Sequence, residues 1–335
     1  MINLSFSVVA ILILYLIPSH FAGFLTTERS FAIILIISGI FTNISNIIGG
    51  ITDGLKKNGF NNIRIIINWV FFLVSLLLIN HDLKSIAAAY LISGLFSLII
   101  SLIIVSQYKQ SEFLFRPVFR RKEVFEQLCF KKGHRLGLKF MIIQIAVIVT
   151  LTTDKLLIFS LEGDSSAAIY DLLYKLYSPI LLISATIAGP LWSFTSEAYS
   201  TNKIQWIQNS IRFRIYLFFF FVIILIFIGV NAENLLHMWL NRIIAIDPWL
   251  NFSILLFFAI MLWNSIYSTF LNAVNSVNTQ YLASFFIIIF NVPISYTLAV
   301  TLNIGNAGVV LGSCIVLSVF SVLGPLQAKK ILYSK

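Results

Sequence analysis

Four charged residues, Asp154, Lys155, Asp171 and Lys175, fall inside two long apolar runs near Leu138–Ser160 and Ala167–Phe194. A charge near the middle of a bilayer costs several kcal/mol unless it meets a partner or water, so such residues line a path or a packed interior. Asp171, Tyr174, Lys175 and Ser178 recur at i, i+3, i+4 and i+7, one polar helical face, and Asp171 to Lys175 is the favourable i to i+4 ion-pair order. On the preceding run Lys155 shares a face with Gln144, Ile148 and Leu151, whereas Asp154 is turned about 100° away and lies over Thr150. Residues of this kind make the chain a candidate transporter.

The elements that position them are membrane helices. With 59% hydrophobic and 11% charged residues and a mean hydropathy of +0.94 over 335 residues, there is too little polar surface to coat a soluble globule. The apolar runs are about 20 residues long and do not alternate as barrel strands would. The expected fold is therefore all-α, a polytopic helical membrane protein with about ten spans: Leu4–Leu25, Phe31–Thr52, Ile63–Ile79, Ile86–Ser106, Leu138–Ser160, Ala167–Phe194, Ile211–Val230, Leu250–Ala273, Tyr281–Leu302 and Ala307–Gln327.

Basic residues give the orientation. If the loop after the fourth span is cytoplasmic, so are 18 Lys and Arg, among them Lys56, Lys57, Arg64, Lys203, Arg212, Arg214, Lys329, Lys330, Lys335 and the run from Lys109 to Lys139; only Arg29, Lys84 and Arg242 fall outside. Both termini are then expected in the cytoplasm, and the net charge of +10 reflects topology and anionic lipid headgroups, with no nucleic-acid partner. The first span lacks a basic n-region and a small-residue cleavage site and reads as a retained helix. Cys129 and Cys314 make neither a disulfide framework nor a metal-site spacing, and no cofactor or metal is expected. Gly49-Gly50-Ile51-Thr52-Asp53-Gly54-Leu55-Lys56 lacks the Gly-Lys-Ser/Thr ending of a phosphate loop. His20 and His237 read as interfacial side chains, and Trp239 and Trp249 as packing or interface residues.

A shift of about 221 residues lays Phe31–Trp69 over Phe252–Phe290, matching Asn43 with Asn264, and Ile86–Ser106 over Ala307–Gln327. Such a repeat is expected of two parallel lobes. The domains expected are residues 1–107, an N-terminal lobe of four spans; 108–137, a basic cytoplasmic linker; and 138–335, a C-terminal lobe of six. The two spans without a counterpart in the first lobe are the charged pair.

Gly137-Leu138-Lys139-Phe140, Gln144, the mid-span Asp154, Ala168-Ile169-Tyr170, Lys175-Leu176 and the run Gly189-Pro190-Leu191-Trp192-Ser193-Phe194-Thr195-Ser196-Glu197-Ala198-Tyr199 before Trp206 resemble the start of the second lobe of bacterial polysaccharide flippases. These are the O-antigen or capsule exporters of the multidrug/oligosaccharidyl-lipid/polysaccharide exporter (MOP) superfamily. The resemblance implies a two-lobe MATE-like exporter architecture in the bacterial inner membrane, in a chain like one lacking the first two of about twelve spans. It also implies a substrate, an oligosaccharide repeat unit linked to polyprenyl pyrophosphate, flipped from the cytoplasmic to the outer leaflet during O-antigen, lipopolysaccharide or capsule biosynthesis, alongside membrane lipids and other polysaccharide-assembly proteins. A sugar and a diphosphate crossing an apolar layer need a solvated cavity with cations for phosphate and hydrogen-bonding groups for hydroxyls.

Two readings of the charged hairpin stay open on the sequence. In one, Asp154, Lys155, Asp171 and Lys175 form a neutral salt-bridge cluster that pins it. In the other, Lys155 or Lys175 meets the pyrophosphate or a sugar acid, with Tyr174, Gln144, Asn43 and Asn264 as further substrate ligands, while Asp154 or Asp171 titrates to couple transport to an ion gradient. Asn43, Asn46, Asn68, Asn264, Asn272 and Asn291 fit either cavity lining or helix-to-helix hydrogen bonds. Pro179, Gly189–Pro190 and Pro293 fit hinges or static bends. An enzyme is not expected, because the outer loops are short and no acidic metal motif or spaced His and acid appears. Two other roles fit the spans: an inactive remnant or accessory scaffold of a polysaccharide-assembly complex, and a small-molecule cation exporter of the same superfamily.

Overall fold

A computed structural model describes residues 29–54, 58–78, 83–106 and 130–333. The expected span Leu4–Leu25, His20, Lys56, Lys57, the basic run Lys109 to Lys122, Cys129 and Lys335 lie outside the described residues. The chain forms two compact units, Met1–Lys122 and Glu123–Lys335.

Among the described residues every element is helical. Backbone groups in hydrocarbon have no water to bind, and a helix satisfies them within the segment. The first unit holds α1 (Arg29–Gly54), α2 (Asn58–Leu78) and α3 (Leu83–Ser106), with α3 packed against both of the others. The second holds α4 (Phe130–Glu162), α5 (Asp164–Ser200), α6 (Ile204–Val230), α7 (Ala232–Leu240), α8 (Pro248–Ala273), α9 (Asn278–Tyr296) and α10 (Asn306–Tyr333). α10 packs on both α8 and α9, and these three elements fall where the sequence repeat places the counterparts of α1, α2 and α3.

Seven of the described helices, α3 to α6 and α8 to α10, are long and apolar enough to cross a membrane, and α1 and α2 carry shorter apolar stretches, Ile33–Asn46 and Ile63–Ser75. The helices run beyond the apolar windows expected of them. α4 starts at Phe130 instead of Leu138, and α5 continues to Ser200 instead of Phe194, because hydropathy marks the lipid-facing stretch and not the polar turns that extend it. α7 was not expected at all. At nine residues it is too short to span, and its exposed Met238 and Trp239 fit an interfacial position.

Local sequence explains the punctuation. Asn202, Asn241, Asn275 and Asn303 take positive φ of 52–55° at the ends of α5, α7, α8 and the α9 segment, a conformation asparagine tolerates better than other side chains. Asp247 caps α8 by accepting from the Trp249 amide at 3.0 Å, with Pro248 at the first helical position, where no N–H is needed. Pro293 removes a donor inside α9, which passes into a π-helical turn at Thr297–Thr301.

Between apolar helices in lipid, packing and interhelical hydrogen bonds replace the hydrophobic drive of a soluble core. Gly308 and Gly312 let α10 approach the backbone of α9 and the π turn: a Cβ at Gly308 would sit 2.8 Å from Ala299 N, and one at Gly312 2.5 Å from Ser295 Cα. Asn264 clamps α8 to α10, donating to Leu317 O at 3.1 Å and accepting from Ser321 Oγ at 2.8 Å, while Trp263 Nε1 donates to Ser321 O at 3.1 Å.

Gly312→Val should therefore force α10 off α9, at a cost of about 1–3 kcal/mol or more. The measurement is the folded fraction of detergent-solubilised protein by size-exclusion chromatography, with Gly39→Val, where a Cβ meets nothing within 4 Å, as the control. Equal folded yields for the two variants would show that the close approach is dispensable.

Candidate functional site

Gly163, with φ 84° and ψ −170°, joins α4 to α5, a backbone position that favours glycine. Lys155 and Asp171 lie equally far along the chain from this turn, so the antiparallel helices bring them level. Lys155 Nζ meets Asp171 Oδ1 at 3.0 Å, and Lys175 Nζ meets Asp171 Oδ2 at 2.7 Å from one turn farther along α5. The side chains are 50%, 29% and 57% exposed for Lys155, Asp171 and Lys175 respectively. One carboxylate thus serves two ammonium groups, the triad carries a net charge of one positive unit, and each ammonium retains N–H donors for another acceptor.

Asp154 does not join this group, so of the two open readings a neutral cluster of all four charges does not form; three of them make a cationic cluster. The 100° step between consecutive helical residues sends the two neighbours to different faces. Asp154 is fully buried and points toward α9 and α10, where its Oδ1 meets Ser313 Oγ at 2.6 Å. Ser313 Oγ also meets Asn291 Oδ1 at 2.9 Å; Asn291 Nδ2 donates to Thr153 Oγ1 at 2.6 Å, and Thr153 Oγ1 donates to Val149 O at 2.7 Å.

The Thr153 hydroxyl gives its hydrogen to Val149 O, so it accepts from the Asn291 amide, and Asn291 turns its oxygen to Ser313. Ser313 donates its one hydrogen to Asp154 Oδ1, the shorter contact at 2.6 Å, and shares it more weakly with Asn291 Oδ1 at 2.9 Å. Asp154 Oδ2 and Ser295 Oγ are buried without a hydrogen-bond partner among the described residues.

The remaining expected ligands are dispersed. Tyr174 packs its ring at a tilt, 5.1 Å from that of Phe258 and 6.1 Å from that of Tyr170. Gln144 is exposed on α4, three turns before Lys155. Asn43 lies half-buried on α1 of the first unit. Asn264 is buried with both amide ends engaged by α10, and Asn46 accepts from Arg64. Ser313 and Ser295 were not singled out from the sequence; the one available signal was that Asn291 and Ser295 share a helical face at i, i+4.

Two arginines counted toward the orientation are buried. Arg64 lies in α2 and Arg214 in α6, within the expected spans Ile63–Ile79 and Ile211–Val230. Arg64 donates from Nη1 to Ser45 Oγ at 2.8 Å and Ser97 Oγ at 3.1 Å, and from Nη2 to Asn46 Oδ1 at 2.9 Å. Ser101 extends this cluster at 2.7 Å from Ser45 Oγ. Among the described residues no group of three His, Cys, Asp or Glu side chains could hold a metal ion.

A family model described as "Polysaccharide biosynthesis protein" matches residues 1–193. Solved structures share the fold. An outward-facing multidrug resistance MATE family transporter of the MOP superfamily superposes with a TM-score of 0.75 at 16% identity, covering 99% of this chain and 76% of that one. Its inward-facing conformation gives 0.72 at 14%, covering 99% and 79%. A MOP superfamily transporter from Pyrococcus furiosus, described as having a binding pocket of reversed polarity that suggests a different function, gives 0.77 at 14%, covering 99% and 76%. Among curated proteins no sequence matches this chain.

The two clusters should respond differently to mutation. Ser313→Ala strands buried acceptors on Asp154 and Asn291 and should cost about 1–3 kcal/mol, whereas Asp171→Asn breaks half-exposed pairs worth about 0–1 kcal/mol. Thermal unfolding midpoints of the purified variants check this, and a larger drop for Asp171→Asn would reverse the ranking of the two clusters.

Proposed function

This chain belongs to the polysaccharide biosynthesis protein family, and from that membership we propose that it flips an oligosaccharide on polyprenyl pyrophosphate across the bacterial inner membrane. It is a multi-pass helical membrane protein with the fold of MOP superfamily exporters. The observation that carries the substrate reading is the Lys155–Asp171–Lys175 triad, which keeps an excess positive charge and two half-exposed ammonium groups inside two apolar spans.

In this reading Lys155 and Lys175 attract the pyrophosphate or a sugar acid as point charges with rotatable donors. Asp171 positions the two lysines and keeps their mutual repulsion in check. Gln144 offers hydrogen bonds to sugar hydroxyls, and Tyr174 lies one residue before Lys175 with its ring against Phe258. Asp154 is the ion-coupling group: it is buried with the Ser313 hydroxyl as its donor and no cation beside it among the described residues, so taking up a proton or a small cation changes how α4 is held to α9 and α10. The arrangement proposed with it is an N-terminal lobe in residues 1–107, a cytoplasmic linker in 108–137, a C-terminal lobe in 138–335, and both termini in the cytoplasm.

The MATE fold equally accommodates a small-molecule cation exporter, and the triad weighs against that cargo, because a cation approaching Lys155 and Lys175 is repelled.

Transport of this kind predicts that Lys175→Arg retains more surface polysaccharide than Lys175→Ala, and that Lys155→Gln/Lys175→Gln reaches the membrane in normal amounts yet loses display. Complementation of a strain lacking its own flippase, scored with membrane abundance, gives the result. Full display by Lys175→Ala and by the double variant would remove the lysines from the substrate path. For orientation, Asp164→Cys should be labelled from outside intact cells by a membrane-impermeant maleimide; protection of that position would invert the topology.

A further inference from the structure

Arg214 stands apart from the other described charges of the second unit. It is only 5% exposed, and its Nε, Nη1 and Nη2 all lack a hydrogen-bond partner among the described residues. A guanidinium does not shed its proton in a protein, so neutralisation is not open to it. A buried charge left in this condition is strongly unfavourable, and native structures answer it with a counter-ion, a hydrogen-bonding shell or a ligand. The buried arginine of the first unit shows the ordinary solution, since Ser45, Ser97 and Asn46 receive the N–H groups of Arg64.

Arg214 borders a cleft between α5, α6 and α8, with Ser184 on α5 and Ser265 on α8 beside it and Leu217, Phe218 and Leu262 among the apolar walls. The enclosed depth of the cleft is about 20 Å³, space for one water molecule, and it is partly open. One water supplies no countercharge. Ser184 Oγ makes no hydrogen bond among the described residues, and Ser265 Oγ gives its proton to Leu262 O at 2.7 Å, a local back-bond it can exchange.

We propose that the α5–α6–α8 cleft is an anion site, with Arg214 as its cation and a phosphate group, free or borne by a lipid, as its ligand. A phosphoryl group presents more oxygens than a carboxylate: two for the guanidinium fork and others for hydroxyls on the facing helices. The flexible stem of Arg214 lets its head reach toward the mouth of the cleft, where there is room that the enclosed depth does not offer. The site is separate from the lysine triad and does not depend on the cargo proposed above.

The test uses the full chain purified in neutral detergent, its thermal midpoint read with inorganic pyrophosphate against chloride at matched ionic strength, and again in nanodiscs of phosphatidylcholine with and without phosphatidylglycerol. At saturating ligand the wild type should gain roughly 3 °C or more in at least one arm. A gain with pyrophosphate assigns a free phosphate, and a gain with phosphatidylglycerol alone assigns a lipid headgroup. Measured in the Lys155→Gln/Lys175→Gln background, so that the triad adds no pyrophosphate site, the gain should persist with Arg214 present, Arg214→Gln should abolish it and Arg214→Lys should keep part of it, which separates this site from the proposed substrate path. If Arg214→Gln fails to fold, Ser184→Leu, which blocks the mouth at a half-buried position, takes its place and should lose the gain. No shift in either arm, or an equal shift in Arg214→Gln or, where that variant does not fold, in Ser184→Leu, overturns the proposal, and the first of these results leaves Arg214 hydrated by water only.

Discussion

The second unit is organised around a carboxyl group that touches neither lipid nor solvent. Asp154 has no exposure, and the chain supplies it with Ser313, itself bonded to Asn291, in place of a cation. That supply requires α4, α9 and α10 to meet at one point. α10 reaches α9 only because Gly308 and Gly312 present no side chain to the backbone there, and Ser313 follows directly on Gly312. Close glycine packing and polar satisfaction are therefore one constraint. Widening the α9–α10 gap would take Ser313 from its partners and leave buried acceptors without donors.

Consecutive residues on α4 serve opposite ends. Asp154 faces the α9–α10 core, while Lys155 faces Asp171 across the Gly163 turn. Since one helix carries both, a rotation of α4 that loosens the buried network also shifts Lys155 relative to α5. The triad tolerates such movement better, because its half-exposed pairs are weak and its lysines are long and rotatable. A stiff contact and a compliant one at adjacent positions give α4 a defined resting state without fixing the exposed cations rigidly.

Most of the architecture was legible in composition and periodicity, since runs of about 20 apolar residues have few alternatives to membrane helices. The divergence of Asp154 from Lys155 was legible too, from the 100° helical step. The partners of Asp154 were not, because Ser313 is 159 positions away and a lone serine in an apolar run carries no signal of what it faces. α7 escaped because amphipathic interfacial helices fall below a spanning length. The expected spans Ile63–Ile79 and Ile211–Val230 already held Arg64 and Arg214, but the positive-inside count weighs basic residues only by the membrane face they lie near and carries no signal of whether their heads are buried in helix packing.

The charges of the second unit's spans divide by how far the chain itself balances them. Asp171 is balanced in excess by two lysines, leaving a surplus of positive charge that is half open to its surroundings. Asp154 has the Ser313 hydroxyl on one oxygen, no partner on the other and no cation beside it among the described residues. A chain selected only for stability would gain by replacing either arrangement with apolar side chains of similar volume, since buried or poorly solvated charge seldom outperforms good packing. The two arrangements are opposite in sense, a carboxyl without a cation and a carboxylate with a cation to spare, and they meet on α4 at the adjacent residues Asp154 and Lys155.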